Sequence, residues 1–169
     1  MVEQAILPAA GFPRAPFAHF QYHKLMNIRT SAMSLAFLAL AFAADLPTIE
    51  PKDLASELQA NNAKPVLFHV GFPVMYRGKH IPNSVYAGPG SKAEGLDALK
   101  TAVAKLPRDR EIVVYCGCCP MDRCPNVRPA VALLKQLGFT NVKVLNLPTN
   151  FAADWSSHGY PIEEGPAAK

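Results

Sequence analysis

Outside one stretch of nine residues, the 169-residue chain contains no cysteine. Cys116, Cys118, Cys119 and Cys124 therefore cannot staple distant segments, and a scaffold of structural disulfides is excluded. Charge of one sign is also scarce. Seventeen basic against 13 acidic residues give a net charge of +4, and no basic face with interleaved aromatics is present, which argues against a nucleic-acid partner. A glycine-rich phosphate loop and a Ser–His–Asp arrangement are both missing. No cysteine is followed by an arginine six positions later, so the Cys-x5-Arg phosphate cradle of cysteine phosphatases is absent too. Nor is there an internal repeat or a low-complexity tract. At this length, with half of the residues hydrophobic, the chain can bury one core and not two.

Long apolar runs are missing as well. The longest is Ala32–Phe42, too short to span a bilayer. It follows a short positive stretch, Met26-Asn27-Ile28-Arg29, and ends in Ala41-Phe42-Ala43, an A-x-A cleavage site. Residues 26–43 thus read as a secretory signal peptide, and residues 44–169 as one exported domain, periplasmic or extracellular. No stable membrane span is expected in that mature part. Residues 1–25 show no usable period. They read as an extension ahead of a true start at Met26, or else as a disordered leader.

What is present is a strand, a cysteine loop and a helix. Ile112-Val113-Val114-Tyr115 is short, β-branched and preceded by charge, the pattern of a buried parallel strand. All four cysteines follow it. A helix then begins, with Asn126 as N-cap and Pro129 in its first turn. Val127, Val131, Leu134 and Leu137 form its buried face, and Gly138 ends it. In open α/β sheets, ligands bind at this kind of junction.

The flanking sequence alternates in the same way. A helix opened by Pro51 carries Leu54, Ala55 and Leu58, and residues 65–70 form an apolar strand. Val85-Tyr86-Ala87 is a second short strand. Leu96, Leu99, Val103 and Leu106 recur at helical spacing until Pro107. Residues 142–147 form a last strand and residues 151–157 a short helix around Trp155. This order predicts an α/β fold: a doubly wound parallel sheet with helices on both faces.

With these elements placed, residues 48–164 resemble the rhodanese-like (sulfurtransferase) family. Gly78-Lys79-His80-Ile81-Pro82-Asn83-Ser84 is similar to that family's GHIPGA segment, with Lys79 inserted. Val113-Val114-Tyr115-Cys116 matches the strand that delivers its catalytic cysteine. Residues 133–139, Asn141-Val142, Asp154-Trp155 and residues 159–163 resemble the helix, strand and tail that follow. Three departures stand out: His69-Val70-Gly71 replaces an Asp-x-Arg, Leu147-Pro148 replaces a glycine pair, and eleven residues separate Cys116 from Arg128.

The resemblance implies sulfur transfer through a persulfide on Cys116, without an organic cofactor. A strand end facing a helix amino terminus favours a thiolate there, and loop N–H groups can cradle an anionic outer sulfur. Arg123 and Arg128 are candidates to hold a small donor such as a thiosulfate-like anion; a protein thiol is an alternative partner, as acceptor. Cys118, Cys119 and Cys124 are auxiliary thiols, resolving groups or persulfide acceptors. The register stays open, because Cys118 and Arg123 reproduce the family's Cys-x4-Arg count while Cys116 holds the strand position. Two other readings compete. Cys116, Cys118, Cys119 and Cys124 are together a soft thiolate set for copper(I) or zinc. An oxidising compartment also permits a non-catalytic domain locked by a Cys119–Cys124 or Cys116–Cys124 disulfide.

Overall fold

The computed structural model describes residues 46–165, apart from Asn61 and Ala63; the expected signal peptide and leader lie outside these residues. Five parallel strands form one sheet in the order β1-β5-β4-β2-β3. These are β1 (Thr48–Ile49), β2 (Val66–His69), β3 (Val85–Tyr86), β4 (Ile112–Tyr115) and β5 (Val142–Leu145). The helices are α1 (Pro51–Gln59), α2 (Pro73–Gly78), α3 (Ala93–Ala102), α4 (Val127–Gln136) and α5 (Phe151–Asp154). Short 3-10 turns cover Met121–Arg123 and Ser156–His158. Among the described residues no helix is long and apolar enough to cross a membrane.

Strand alternation sorts the core into two layers. Ile112, Val114 and Cys116 point to one face, where they pack with Leu99 and Val103 at the end of α3 and with Val127, Ala130, Val131 and Leu134 of α4. Val113 and Tyr115 point to the other, with Leu54 and Ala55 of α1 and with Phe151 and Trp155 of and beside α5. All four residues of β4 are buried, as expected for a central strand covered on both faces. The sheet is therefore doubly wound.

The differences from the sequence reading lie in short elements. The two-residue β1 and the six-residue α2 carry no periodic signal. α3 stops at Ala102, because its last residues continue as tight turns, with Ala104 N–H donating to Thr101 and Leu106 N–H to Val103. The helix at 151–157 is two pieces, broken at Trp155, whose φ of −124° is not helical.

At the carboxyl edge, β2 and β4 place His69 beside Tyr115. The buried imidazole sits edge-on to the rings of Tyr76 and Tyr115, at 5.4 and 5.0 Å. The Tyr115 hydroxyl accepts from Ile81 N–H at 3.0 Å and shares a 2.8 Å bond with Ser84 Oγ. His80 stacks on Tyr76 and bridges to Glu163 through paired backbone bonds, so it ties the tail to this edge. Burial lowers the His69 pKa from 6.5 to about 4, offset in part by the Cys116 carbonyl. The unfolded chain thus binds a proton here that the folded chain refuses. Stability is full above about pH 6.5 and falls as pH drops through that value toward 4. At about 1.4 kcal/mol per pH unit, the loss reaches about 3 kcal/mol. Urea unfolding between pH 7 and pH 4 measures it, and the same fall in His69→Gln shows that another group is responsible.

Candidate functional site

Cys116 follows β4 directly, and its side chain is buried at the carboxyl edge of the sheet. Three neighbours define the space around its sulfur. Gly71, just after β2, has no Cβ; one placed there lies 2.9 Å from the Cys116 sulfur and 2.8 Å from His69 Cε1. Only glycine leaves this volume to the thiol. Gly117 turns the chain away with φ +77°, a conformation that favours glycine. Asn126 supplies the polar contact. Its Nδ2 donates to the Cys116 sulfur at 3.4 Å, while its Oδ1 accepts from Ser91 N–H at 3.1 Å.

That geometry corrects the expected helix cap. Asn126 has helical backbone angles and makes no side-chain capping bond. Its side chain is fully buried because it turns inward to the thiol and to the 88–91 loop.

All four cysteines are free thiols, and three of them converge. The sulfurs of Cys116, Cys118 and Cys124 all lie within 4.8 Å of one another. Cys118 is central, 3.3 Å from Cys116, 3.1 Å from Cys119 and 4.0 Å from Cys124. Cys119 stands outside the mutual cluster and packs, partly buried, against the core layer of α4. Burial, and then hydrogen bonding with Cys119, pushes the Cys118 thiol up to about 12. Cys124 is also pushed up, first by its hydrogen bond with Cys116 and then by burial; the peptide N–H groups of Asn126 and Val127 offset part of this. The start of α4 therefore acts on Cys124, whereas Cys116 is served by the Asn126 side chain.

A cavity of about 350 Å³ opens in front of Cys116 and Cys118. One wall is α2, with Val74, Met75, Gly78 and the following Lys79; the other is Asn150, Phe151, Ala152 and Ser156. The lining is mainly apolar. His69 also lines it, neutral at physiological pH because of its lowered pKa, so Lys79 is the one cationic side chain among the lining residues. Phe72, Val74 and Met75 expose apolar surface at the rim.

Neither arginine expected to hold a donor lines this cavity. Arg123 extends into solvent, 4.0 Å from Asp122. Arg128 is exposed and borders a separate depression with Thr48, Met121, Asp122 and Asn146. The cause is the 3-10 turn at Met121–Arg123, anchored by Met121 N–H donating to Leu147 at 2.9 Å, which faces Arg123 outward. Gly71, His69, Lys79 and the inward role of Asn126 escaped the sequence reading. They left traces there without a site role: His69 and Gly71 in place of an Asp-x-Arg, Lys79 as the residue inserted into an otherwise familiar segment, and Asn126 as an expected cap.

Known proteins share this fold. The crystal structure of the Alr3790 protein from Anabaena sp. is similar at 25% identity, over 69% of this chain and 82% of that one, with a TM-score of 0.53. The BH2092 protein from Bacillus halodurans is 23% identical over 70% of this chain and 77% of its own, with a TM-score of 0.55. The single-domain sulfurtransferase RDL2 of Saccharomyces cerevisiae is 18% identical over 70% and 95%, with a TM-score of 0.51. At such identities the last two likenesses are of fold alone. No curated protein sequence matches the chain. The sequence profile of the rhodanese-like domain matches residues 50–147, more than half of the chain, with Cys116 and its loop inside the match; the chain belongs to the rhodanese-like domain family.

Proposed function

We propose that the protein is an exported sulfurtransferase that carries a persulfide on Cys116. One observation carries the reading: of the two cysteines that line the cavity, Cys116 alone is fixed by the central strand and receives the Asn126 amide. Membership of the rhodanese-like domain family supports the same chemistry.

The reaction needs no redox partner. The Cys116 thiolate attacks the outer sulfur of a donor such as thiosulfate, a new S–S bond forms, and the donor's S–S bond breaks with sulfite leaving with the electron pair. An acceptor thiolate, small or on a protein, then attacks the outer sulfur of the persulfide, and Cys116 departs as thiolate. Asn126 Nδ2 donates to the Cys116 sulfur, a bond that supports this sulfur as thiolate and as the inner sulfur of the persulfide. Neutral His69 contributes shape rather than charge. Lys79 is placed to attract an anionic donor, the part first assigned to Arg123 and Arg128.

Cys116→Ser is expected to bring persulfide formation and thiosulfate-dependent transfer to background after mild reduction, measured by intact mass and cyanolysis. A serine variant that still takes up sulfur while Cys118→Ser does not places the nucleophile at Cys118. Lys79→Ala should raise the donor KM by up to about fivefold, as expected of an exposed charge worth about 0.2–1 kcal/mol, with kcat little changed. Arg128→Ala should leave the donor KM as it is; steady-state kinetics with an anionic donor distinguishes the two. Export rests on Arg29, the Ala32–Phe42 run and Ala41-Phe42-Ala43. Amino-terminal sequencing of the secreted product should begin at Ala44, and Met1 or Met26 on a soluble cytoplasmic product removes this part of the proposal.

A further inference from the structure

The thiols beyond Cys116 exceed what sulfur transfer uses. A single nucleophile suffices for the two displacements, yet the loop brings the sulfurs of Cys116, Cys118 and Cys124 within 4.8 Å of one another, and Cys116 and Cys118 line the cavity. Among the described residues these three form the one group of His, Cys, Asp or Glu ligand atoms so closely gathered. The geometry points to a second use of this loop: a three-thiolate site for a copper(I) ion, bound by Cys116, Cys118 and Cys124.

Ligand chemistry selects the metal. Three sulfurs without imidazole or carboxylate are a soft set, which suits copper(I). Structural zinc takes four ligands in a tetrahedron. The fourth cysteine does not supply one, because Cys119 lies outside the mutual cluster, although its sulfur is 3.1 Å from that of Cys118. His69 does not supply one through Nδ1, which accepts from Gly71 N–H at 3.2 Å. Copper(I) needs no more than three.

The surroundings suit the charge of the complex. Binding releases the thiol protons and leaves three thiolates around one monovalent cation, a net charge of −2. Asn126 Nδ2 already donates to the Cys116 sulfur at 3.4 Å, and the peptide N–H groups of Asn126 and Val127, at the start of α4, favour charge on Cys124. Hydrogen bonds of this kind orient metal ligands and stabilise their charge. Cys116 and Cys124 are buried while Cys118 is half-buried and borders the open cavity, which gives the ion an entry path. Because Cys116 is also the proposed sulfur carrier, metal and persulfide exclude each other.

The test titrates copper(I) itself into the reduced, full-length protein without oxygen, against a chromophoric copper(I) chelator. One ion per chain is expected, with three sulfur neighbours by X-ray absorption. Cys118→Ser and Cys124→Ser should each weaken binding at least about tenfold, and Cys119→Ser should not. Cys124 is buried, so circular dichroism checks that its variant folds; the half-buried Cys118 keeps the question decidable if it does not. Undiminished binding in Cys118→Ser, a two-sulfur site, or a requirement for Cys119 overturns the three-thiolate site. A tighter zinc complex with four sulfurs overturns the choice of metal. Copper binding is read directly, so its failure stands apart from any failure of sulfur transfer.

Discussion

Everything at this site depends on the fixed position of one sulfur atom. β4 is covered on both faces, so its end cannot shift without disturbing both core layers. Cys116 leaves that strand into a space bounded by the missing Cβ of Gly71, by the His69 ring and by the Asn126 amide. None of these is a loop side chain free to relax. His69 is held by Gly71 N–H and the tyrosine rings, and Asn126 is clamped by Ser91 N–H at its other end. The thiol is pre-positioned by packing, which is what a nucleophile on a rigid element requires.

The electrostatics of the site follow from that packing. A histidine next to a cysteine suggests an imidazolium–thiolate pair, but the position excludes it. Burial lowers the His69 pKa to about 4, so the ring is neutral wherever a sulfurtransferase would work. Support for a charged sulfur comes instead from dipoles: the Asn126 amide on Cys116 and the α4 N–H groups on Cys124. Dipoles placed in advance by the fold need no reorganisation when charge appears. They also leave the surface around the cavity with little net charge, in keeping with an apolar wall formed by α2 and α5.

The parts legible in the sequence are those with a strong local signal. β4, α4 and β5 announce themselves through β-branched runs and a helical stripe of Val127, Val131 and Leu134, and together they fix the fold class. α2 has six residues and no stripe, so only tertiary contact reveals that it walls the cavity. Asn126 illustrates a deeper limit. Its type and place fit a helix cap, yet the fold offers it a buried sulfur and a loop N–H instead, and those contacts prevail. Arg123 is a candidate by its count from Cys118 and Arg128 by its place at the helix start, and neither signal reveals the 3-10 turn that faces Arg123 outward.

That turn also explains why the loop is long. Met121 N–H anchors on Leu147, and Cys119, Met121 and Cys124 fill the space between β5 and the start of α4. The added residues thus extend the core layer that already holds Cys116 and α4 and do not widen an anion cradle around it. Their side chains are thiols and a thioether, the most polarisable groups available. An oxyanion site gathers arginines and N–H groups around the reacting sulfur; here the loop sends its arginines to solvent and gathers sulfur. At this strand end and helix start the Cys116 sulfur has soft neighbours, Cys118 and Cys124, within 4.8 Å, and it is on that arrangement that the proposed copper(I) site rests.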